Sequence, residues 1–323
     1  MRPDPAPVVL AAPAGYARWC APGHRLLVEA GLDVRENPYD RPLTRGELLE
    51  YAPDVAAVIV GVESWDADLI AACPRLRILA KQGVGLDNID LDAAKRHGVD
   101  VVNVPGGNAN AVAEFAVGLM IAAMRGLGTS AESVRAGKWS RITGPELSGT
   151  TVGLIGFGTI ARLVARRLSG FDVRLVAWDP YPDSEAAREL GVELVELDAL
   201  LEGADILSLH VPLLPETRGF VNADLLARTK AGAFFVNTAR GGLVDEPALV
   251  AALESGHLRG AALDVFAAEP LPADHPFRTL PTVVATGHVG ADSIEAYERI
   301  SVANARSVIA VLEHRPLNSE EAP

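Results

Sequence analysis

The chain has 323 residues, a formal net charge of −13 and 49% hydrophobic residues, enough for two domains with sizeable cores. The negative balance, with no Lys/Arg-rich run, excludes nucleic acid as an expected partner, because a phosphate backbone requires a basic face. The two cysteines, Cys20 and Cys73, have no metal-ligand or CxxC spacing, which predicts free thiols in a reducing cytoplasm and no metal site. The apolar stretch 113–124 is shorter than the roughly 20 residues that a membrane-spanning helix needs, so no membrane association is expected.

Short apolar runs alternate with helical patterns along the chain, which predicts α/β architecture with parallel sheets joined by crossover helices. The first series of predicted elements is Val8–Ala11, His24–Ala30, Arg45–Tyr51, Val55–Val60, Arg77–Ala80, Leu91–Arg96 and Val99–Val102. A long helix is predicted after Asn108. A second series of strands follows at Thr151–Ile155, Val173–Trp178, Ile206–Leu209, Ala233–Val236, Ala261–Leu263 and Val283–Ala285, and one last helix is predicted at Ser293–Glu313. Two such series without a flexible linker predict two Rossmann-like parallel-sheet domains with a cleft between them.

The most specific local pattern is an apolar strand followed by GxGxxA at 156–161 and a helical run. Gly156 permits a tight turn, Gly158 lets the backbone approach a pyrophosphate, and the helix N-terminus offers amides to a phosphate. A second strand ends at Asp179, 18 residues after Ala161. A carboxylate there accepts hydrogen bonds from the adenosine ribose and repels a 2′-phosphate. The pattern therefore predicts a site for NAD(H), preferred over NADP(H).

Three further segments place polar side chains just after apolar strands: FVNTARGGLVDE at 235–246, ALDVFAAEP at 262–270 and ATGHVGADS at 285–293. Arg240 follows the first strand, Glu269 lies in the loop after the second, and His288 follows the third. Ligands of open α/β sheets bind outside the carboxyl ends of the strands, and the planar fork of arginine matches a carboxylate. Taken singly, each of these residue types is more often a surface or structural residue.

These segments, together with GVGLDNIDL at 83–91, NVPGGNANAVAEFAVGLM at 103–120, GLIGFGTIA at 153–161 and HVPLLPETRGFVN at 210–222, closely resemble the D-isomer-specific 2-hydroxyacid dehydrogenase family, the group containing phosphoglycerate dehydrogenase. The resemblance covers essentially the whole chain. It implies a cofactor domain inserted into a flavodoxin-like catalytic domain. Residues 1–101 and 290–323 would form the catalytic domain, and residues 102–289 the NAD-binding domain.

The resemblance also implies a reaction, the NAD-dependent interconversion of a small 2-oxo acid and its 2-hydroxy acid. His288 would act as the general acid in reduction and as the base in the reverse direction. Glu269 would orient its imidazole and stabilise its charged form. Arg240 would bind the substrate carboxylate and polarise the C2 carbonyl. The partners implied are the acid itself and a second copy of the chain in a homodimer.

Further contacts carry over from the family onto matching positions. The implied cofactor-binding residues are Gly156, Gly158, Thr159, Ile160, Asp179, Val211, Pro212, Thr217, Thr238, Ala239, Arg240, Asp264, His288 and Gly290. The implied substrate-binding residues are Lys81, Val84, Gly85, Asn108 and Arg240. Among them, Asp264 would hold the nicotinamide carboxamide, and the amides of Val84 and Gly85 would contact the substrate carboxylate.

The identity of the substrate stays open, because the chain departs from the family where the tail of the acid is bound. Phosphoglycerate dehydrogenases often carry an Arg-Ser pair after the strand that corresponds to Val58–Val60, where this chain has Gly61-Val62-Glu63-Ser64-Trp65. Lys81 and Asn108 are the candidates to face a second polar or anionic group, as in phosphohydroxypyruvate, hydroxypyruvate, glyoxylate or phosphonopyruvate; for Lys81, a solvated lysine at a strand end is the alternative. Two other functions remain: an NADH-sensing binding protein similar to the corepressors of this fold, and a dehydrogenase of formate or phosphite.

Overall fold

The computed structural model describes residues 6–316. Their contacts form two compact units: unit 1 contains the described residues up to Asn108 and from Asp292 onward, and unit 2 is Ala109–Ala291. Unit 2 thus interrupts unit 1 along the chain. The division falls a few residues later than the expected boundaries at 102 and 290. Hydrogen bonds explain why residues 103–108 belong to unit 1. The Asn103 side-chain amide donates to the Val84 carbonyl, and Arg299 donates to the Gly107 carbonyl at 2.9 Å.

Strands and helices alternate along most of the described residues. The strands are β1 Val8–Ala11, β2 Asp33–Glu36, β3 Ala57–Val60, β4 Ile78–Lys81, β5 Asp100–Val102, β6 Thr151–Ile155, β7 Arg174–Trp178, β8 Glu193–Leu194, β9 Ile206–Leu209, β10 Ala233–Asn237, β11 Leu258–Leu263 and β12 Val283–Ala285. The α-helices are α1 Tyr16–Trp19, α2 Ala21–Glu29, α3 Arg45–Tyr51, α4 Ala67–Ala71, α5 Leu91–Arg96, α6 Ala109–Arg125, α7 Leu127–Arg135, α8 Thr159–Leu168, α9 Ser184–Glu189, α10 Leu197–Gly203, α11 Ala223–Ala227, α12 Glu246–Glu254 and α13 Ile294–Leu312.

Unit 1 is a parallel sheet in the order β2-β1-β3-β4-β5, the flavodoxin-like order. Its inner strands β3 and β4 are buried on both faces and apolar except for Lys81 at the end of β4, as expected when helices cover both sides of a parallel sheet. The helix α13, capped by the Ser293 hydroxyl, returns from the far end of the chain and packs on α2 and β4. It contributes Ala305, Val308 and Val311 to the core beneath β1.

Unit 2 is a parallel sheet in the order β12-β11-β10-β9-β6-β7-β8. The chain leaves β6 toward β7 on one side and returns to β9 on the other, so the topological switch point lies between β6 and β9. Ligands of doubly wound sheets bind at this place. One core beneath the sheet joins α6 to α8 through residues such as Met120 and Val164. The predicted fold class, two parallel-sheet α/β domains, is confirmed.

No single helix among residues 6–316 is long and apolar enough to cross a membrane. The bent pair α6 and α7, which meet at 67°, passes the same test of length and composition only when taken together.

Candidate active site

The glycine turn after β6 has the geometry that a close approach requires. Gly156 has φ +92°, and a Cβ there would lie 2.9 Å from the backbone carbonyl of His210, so no larger residue fits without displacing the end of β9. A Cβ at Gly158 would meet nothing within 4 Å. Gly158 caps α8 without a side chain, so the amides of the first turn, at Thr159 and Ile160, face no side-chain acceptor from the cap.

Asp179 lies at the end of β7, beside the glycine turn. One carboxylate oxygen accepts a hydrogen bond from the Phe157 amide at 2.7 Å, and the other accepts from the Tyr181 amide at 2.8 Å. The backbone thus fixes the orientation of the carboxylate. Each oxygen keeps a second lone pair for a ligand hydroxyl.

The loop after β9 and the end of β10 contribute the next predicted residues. Thr217 closes the loop by donating to the Pro212 carbonyl at 2.7 Å, and Val211 lies against Gly156. At the end of β10 the hydroxyl of Thr238 is buried and has no hydrogen-bond partner among the described residues. A buried orphan hydroxyl is costly unless a ligand satisfies it. The glycine turn after β6 and the Thr238 hydroxyl therefore both fit a bound dinucleotide.

His288 and Glu269 form a pair. The Nδ1 atom of His288 lies 2.7 Å from Glu269 Oε2, and the two side chains are 35% and 34% exposed. The other carboxylate oxygen accepts from the Phe266 amide at 2.9 Å. His288 has φ +58°, a left-handed conformation that is unfavourable for a residue with a Cβ. The surrounding loop must therefore hold it there.

Asp264, at the end of β11, holds that loop. Its Oδ1 accepts from the Thr286 hydroxyl at 2.6 Å and from the Val289 amide at 3.0 Å, and its Oδ2 accepts from the Gly290 amide at 2.8 Å. Its own carbonyl accepts from the His288 amide at 2.8 Å. The buried carboxylate thus fixes the backbone on both sides of His288. The predicted contacts of Asp264 with the nicotinamide and of Gly290 with the cofactor stay predictions.

Arg240 leaves β10 in a turn built by its neighbours. The Asn237 side chain accepts from the Ala239 amide at 2.9 Å and donates to the Arg240 carbonyl at 3.0 Å. The next residue, Gly241, packs so closely on another loop that a Cβ would lie 1.9 Å from the carbonyl carbon of Phe266. The turn that bears Arg240 therefore touches the segment that bears Glu269. Neither Asn237 nor Gly241 is identified from the sequence alone; the Gly-Gly pair after Arg240 was the available signal.

The charges in this group act on Glu269. Burial raises the pKa of its carboxyl, but the hydrogen bonds from His288 and the Phe266 amide, together with the positive charges of His288 and Arg240, lower the pKa to a net value below the ordinary 4.5. The charges of His288 and Arg240, the other two residues predicted as catalytic, thus both act on the Glu269 carboxylate. Glu269 is ionised over the physiological range.

The predicted substrate residues of unit 1 lie around the turn after β4. Lys81 is buried; its ammonium donates to the Gly61 carbonyl and, at 2.9 Å, to Asn88. Glu63, also buried, accepts from the Gly61 amide at 2.9 Å; burial raises the pKa of this carboxyl above its ordinary value, against the amide bonds and the charge of Lys81. Lys81 therefore braces the turn after β3, and its predicted contact with a substrate tail stays a prediction.

The other predicted substrate-binding residues of unit 1 are Val84, Gly85 and Asn108. Val84 and Gly85 are half-buried in the turn after β4, which the Asn103 side chain ties to the end of β5 through the Val84 carbonyl. Asn108 is half-buried just before α6. The bracing roles of Asn103 and Glu63 are not predicted from the sequence: Asn103 lies in the quoted segment 103–120, but nothing in that segment shows its contact with Val84, and Glu63 lies in no such pattern.

A glycine turn at the switch point, an acid after the next strand and a Glu–His pair on the same edge of the sheet define a dinucleotide-binding α/β protein. The family of D-isomer specific 2-hydroxyacid dehydrogenases, through its NAD binding domain, matches residues 117–290. The chain belongs to this family.

Individual relatives agree with this assignment. The chain is 46% identical over 267 residues to D-3-phosphoglycerate dehydrogenase of Mycobacterium tuberculosis, a match that covers 82% of this chain and 50% of that protein. The chain thus spans about half the length of that relative. It is 40% identical over 299 residues to glyoxylate reductase of Thermofilum pendens, covering 90% of this chain and 88% of the relative. The structure of an NAD-dependent formate dehydrogenase from Staphylococcus aureus in complex with NAD is 32% identical, with a TM-score of 0.82 over 97% of both chains.

Proposed function

We propose that the protein is an NAD(H)-dependent oxidoreductase that reduces a small 2-oxo acid to the 2-hydroxy acid, or catalyses the reverse reaction. The observation that carries the proposal is the 2.7 Å contact between His288 Nδ1 and Glu269, beside the charge of Arg240. An imidazole held by a carboxylate is a proton donor and acceptor suited to neutral pH. An arginine beside it matches the carboxylate of the substrate.

The contacts of the pair support one ring nitrogen of His288, Nε2, as the atom that transfers the proton. An ionised carboxylate is only an acceptor, so Nδ1 of His288 carries the hydrogen in its bond to Glu269. Nε2 is therefore the nitrogen that gives a proton to the carbonyl oxygen in reduction and takes it back from the hydroxyl in oxidation. Arg240 binds the acid and polarises the carbonyl. Bound nicotinamide would supply the hydride for C2 of the acid.

The residues of unit 2 are suited to hold the dinucleotide. The glycine turn at Gly156 and Gly158 with the first turn of α8 would receive the pyrophosphate, Asp179 the adenosine ribose, and Thr238 a further polar group. The carboxylate of Asp179 supports a preference for NAD(H) over NADP(H), because a 2′-phosphate would be repelled. Replacing Asp179 with Ser should raise the ratio of NADPH to NADH turnover; an unchanged ratio would remove Asp179 from the selection.

The substrate is proposed to carry a second polar or anionic group, and relatives named phosphoglycerate dehydrogenase and glyoxylate reductase support this range. Substitution of Lys81 tests whether this side chain binds the second group, or tail, of the substrate. If it contacts the tail, Lys81→Met should lower kcat/KM for phosphohydroxypyruvate much more than for glyoxylate. Lys95→Met, at an exposed lysine of α5, is the matched control. Equal losses on both acids would mean that Lys81 only braces the turn at Gly61.

The first experiment is NADH oxidation by the purified protein with glyoxylate, hydroxypyruvate, phosphohydroxypyruvate, phosphonopyruvate, 2-oxoglutarate and pyruvate, and NAD reduction with formate and phosphite. Turnover of one or more 2-oxo acids that is abolished in His288→Ala supports the proposal. Activity on formate or phosphite alone would favour the small-anion dehydrogenase. NADH binding without any turnover would favour the cofactor-sensing binding protein.

We further propose a homodimer that acts in the cytoplasm. The helix α7 exposes Leu127 and Val134, and the segment after it exposes Trp139 at 88%, so exposed apolar side chains are available for a second copy. The buried free thiols of Cys20 and Cys73 support a reducing compartment. Sedimentation of wild type and Trp139→Glu tests the dimer, since a charge in such an interface should shift the protein toward the monomer.

A further inference from the structure

The loop that carries Glu269 is tied at both ends by one side chain outside it. Glu246, in the first turn of α12, accepts a hydrogen bond from the Ala267 amide at 2.8 Å through Oε1. Its other oxygen, Oε2, lies 3.4 Å from His275 Nε2. The two side chains are 13% and 18% exposed. A single carboxylate therefore joins the beginning of the loop, before Glu269, to its end.

The other ring nitrogen of His275, Nδ1, makes a hydrogen bond that shows which nitrogen of the ring carries the hydrogen. The Phe277 amide donates to His275 Nδ1 at 3.3 Å, so Nδ1 is an acceptor and the ring hydrogen is on Nε2, the nitrogen that lies 3.4 Å from Glu246 Oε2. The His275 ring also packs against Phe277, with ring centroids 4.6 Å apart, and Phe277 is buried. The end of the loop is thus anchored in the core, and Glu246 transfers that anchor to Ala267.

Two consecutive amides connect this clamp to the proposed catalytic pair. The Phe266 amide donates to Glu269 and the next amide, that of Ala267, donates to Glu246. Because neighbouring peptide planes share a Cα, rotation of the Ala267 amide away from Glu246 would also displace the amide that holds Glu269. The position of the Glu269 carboxylate beside His288 depends on both bonds.

We propose that Glu246 is a positioning residue for the proposed reaction: by joining Ala267 to His275, it sets the place at which Glu269 meets the imidazole of His288. This inference rests on the proposed function only in that it assigns His288 the proton transfer. Glu246 does not contact the imidazole of His288, and in the proposed function it does not contact the substrate. Its effect is on the turnover step and on the pH range in which Glu269 stays ionised.

The variants Glu246→Ala and Glu246→Gln, with Glu202→Gln as control, test the proposal. Glu202 is an exposed residue of α10 whose side chain makes no hydrogen bond or ion pair within the described residues. Glu246→Ala should lower kcat by about 10²-fold, the cost of a 1 Å misplacement, and leave the affinity for NADH unchanged. Glu246→Gln keeps a carbonyl oxygen for the Ala267 amide and should lose less.

The pH profile separates positioning from a merely structural role. The Phe266 amide is one of the contacts that lower the pKa of Glu269, so its loss should raise that pKa and move the acid limb of kcat/KM to higher pH. Loss of activity in proportion to the unfolded fraction, with the acid limb in place, would overturn the proposal. So would a Glu246→Ala profile identical to that of Glu202→Gln.

A readout without turnover keeps this inference distinct from the proposed function. The imidazole nitrogen resonances of His288, recorded by NMR, should report a hydrogen-bonded Nδ1 in the wild type and a weakened bond in Glu246→Ala. If the wild type reduces no 2-oxo acid, the proposed function fails, and this comparison still decides the role of Glu246. Unchanged His288 resonances in Glu246→Ala would overturn it.

Discussion

Replacing Gly241 with Ala should separate the turn that bears Arg240 from the loop that bears Glu269. An added Cβ would lie 1.9 Å from the carbonyl carbon of Phe266 and 2.1 Å from its oxygen. Both are backbone atoms, so no side-chain rotation relieves the contact, and the two segments must move apart by about 1 Å. Overpacking of this kind costs up to about 3 kcal/mol.

The neighbouring glycine is the matched control. A Cβ at Gly242 would lie 3.1 Å from the end of Leu213 and 3.3 Å from the guanidinium of Arg218, and both are flexible side-chain ends that can move. Gly242→Ala should therefore stay close to the wild type. At about 2–4 °C per kcal/mol for a unit of this size, Gly241→Ala should melt below the wild type by up to about 6–12 °C.

Calorimetry and steady-state turnover together test whether the contact between Gly241 and Phe266 positions Arg240 and Glu269. Gly241→Ala should also lose about 10²-fold in kcat at a temperature where it is folded, because Arg240 and Glu269 no longer keep their relative positions. If Gly241→Ala melts and turns over like Gly242→Ala, the close approach of the two segments has no bearing on the site, and the reasoning from their contact is wrong.

Three other predictions concern the proposed catalytic pair and the buried thiols. His288→Ala should lower turnover by about 10²–10⁴-fold and leave NADH binding, measured by fluorescence titration, in place; undiminished turnover would contradict its role. Because the folded-state pKa of Glu269 is depressed below 4.5, its ionisation contributes stability above that pH which is lost as the pH falls through the folded pKa. The melting advantage of the wild type over Glu269→Gln should thus be present at neutral pH and vanish on acidification below 4.5, and an advantage that grows there would refute the assignment. Burial raises the pKa of Cys20 to about 12 and that of Cys73 to about 11, so neither thiol should react with iodoacetamide in the folded protein at mildly alkaline pH, whereas both should react once the chain is unfolded.

Apolar patterning predicts the buried elements of this fold well. The predicted runs Val8–Ala11, Arg45–Tyr51 and Ile206–Leu209 coincide with β1, α3 and β9. The same patterning misses β2, because this edge strand, Asp33–Glu36, contains one apolar residue, and α7, because none of its residues is buried. Exposed elements carry no hydrophobic period, so only their neighbours in the folded chain reveal them.

The candidate site is predicted in its residue types but not in its contacts. Motif order places Arg240, Glu269 and His288 at strand ends, since ligands bind there in any doubly wound sheet. The left-handed backbone of His288 depends on the three hydrogen bonds that its loop gives to the Asp264 carboxylate and on a fourth to the Asp264 carbonyl, and Asp264 lies 24 residues earlier in the chain. For Lys81, the sequence shows a lysine at a strand end but not the Gly61 carbonyl that binds it. Long-range partners of this kind leave no local pattern.

The interruption of unit 1 by unit 2 has a consequence for the order in which the chain is made. During synthesis the core beneath β1 stays incomplete until α13 has left the ribosome, because Ala305, Val308 and Val311 belong to it. Unit 2 is one continuous segment, so all of its strands are available earlier. The nascent unit 1 therefore has one apolar sheet face only partly covered, by α1 and α2, while unit 2 is translated, and this core is complete only when α13 packs against it.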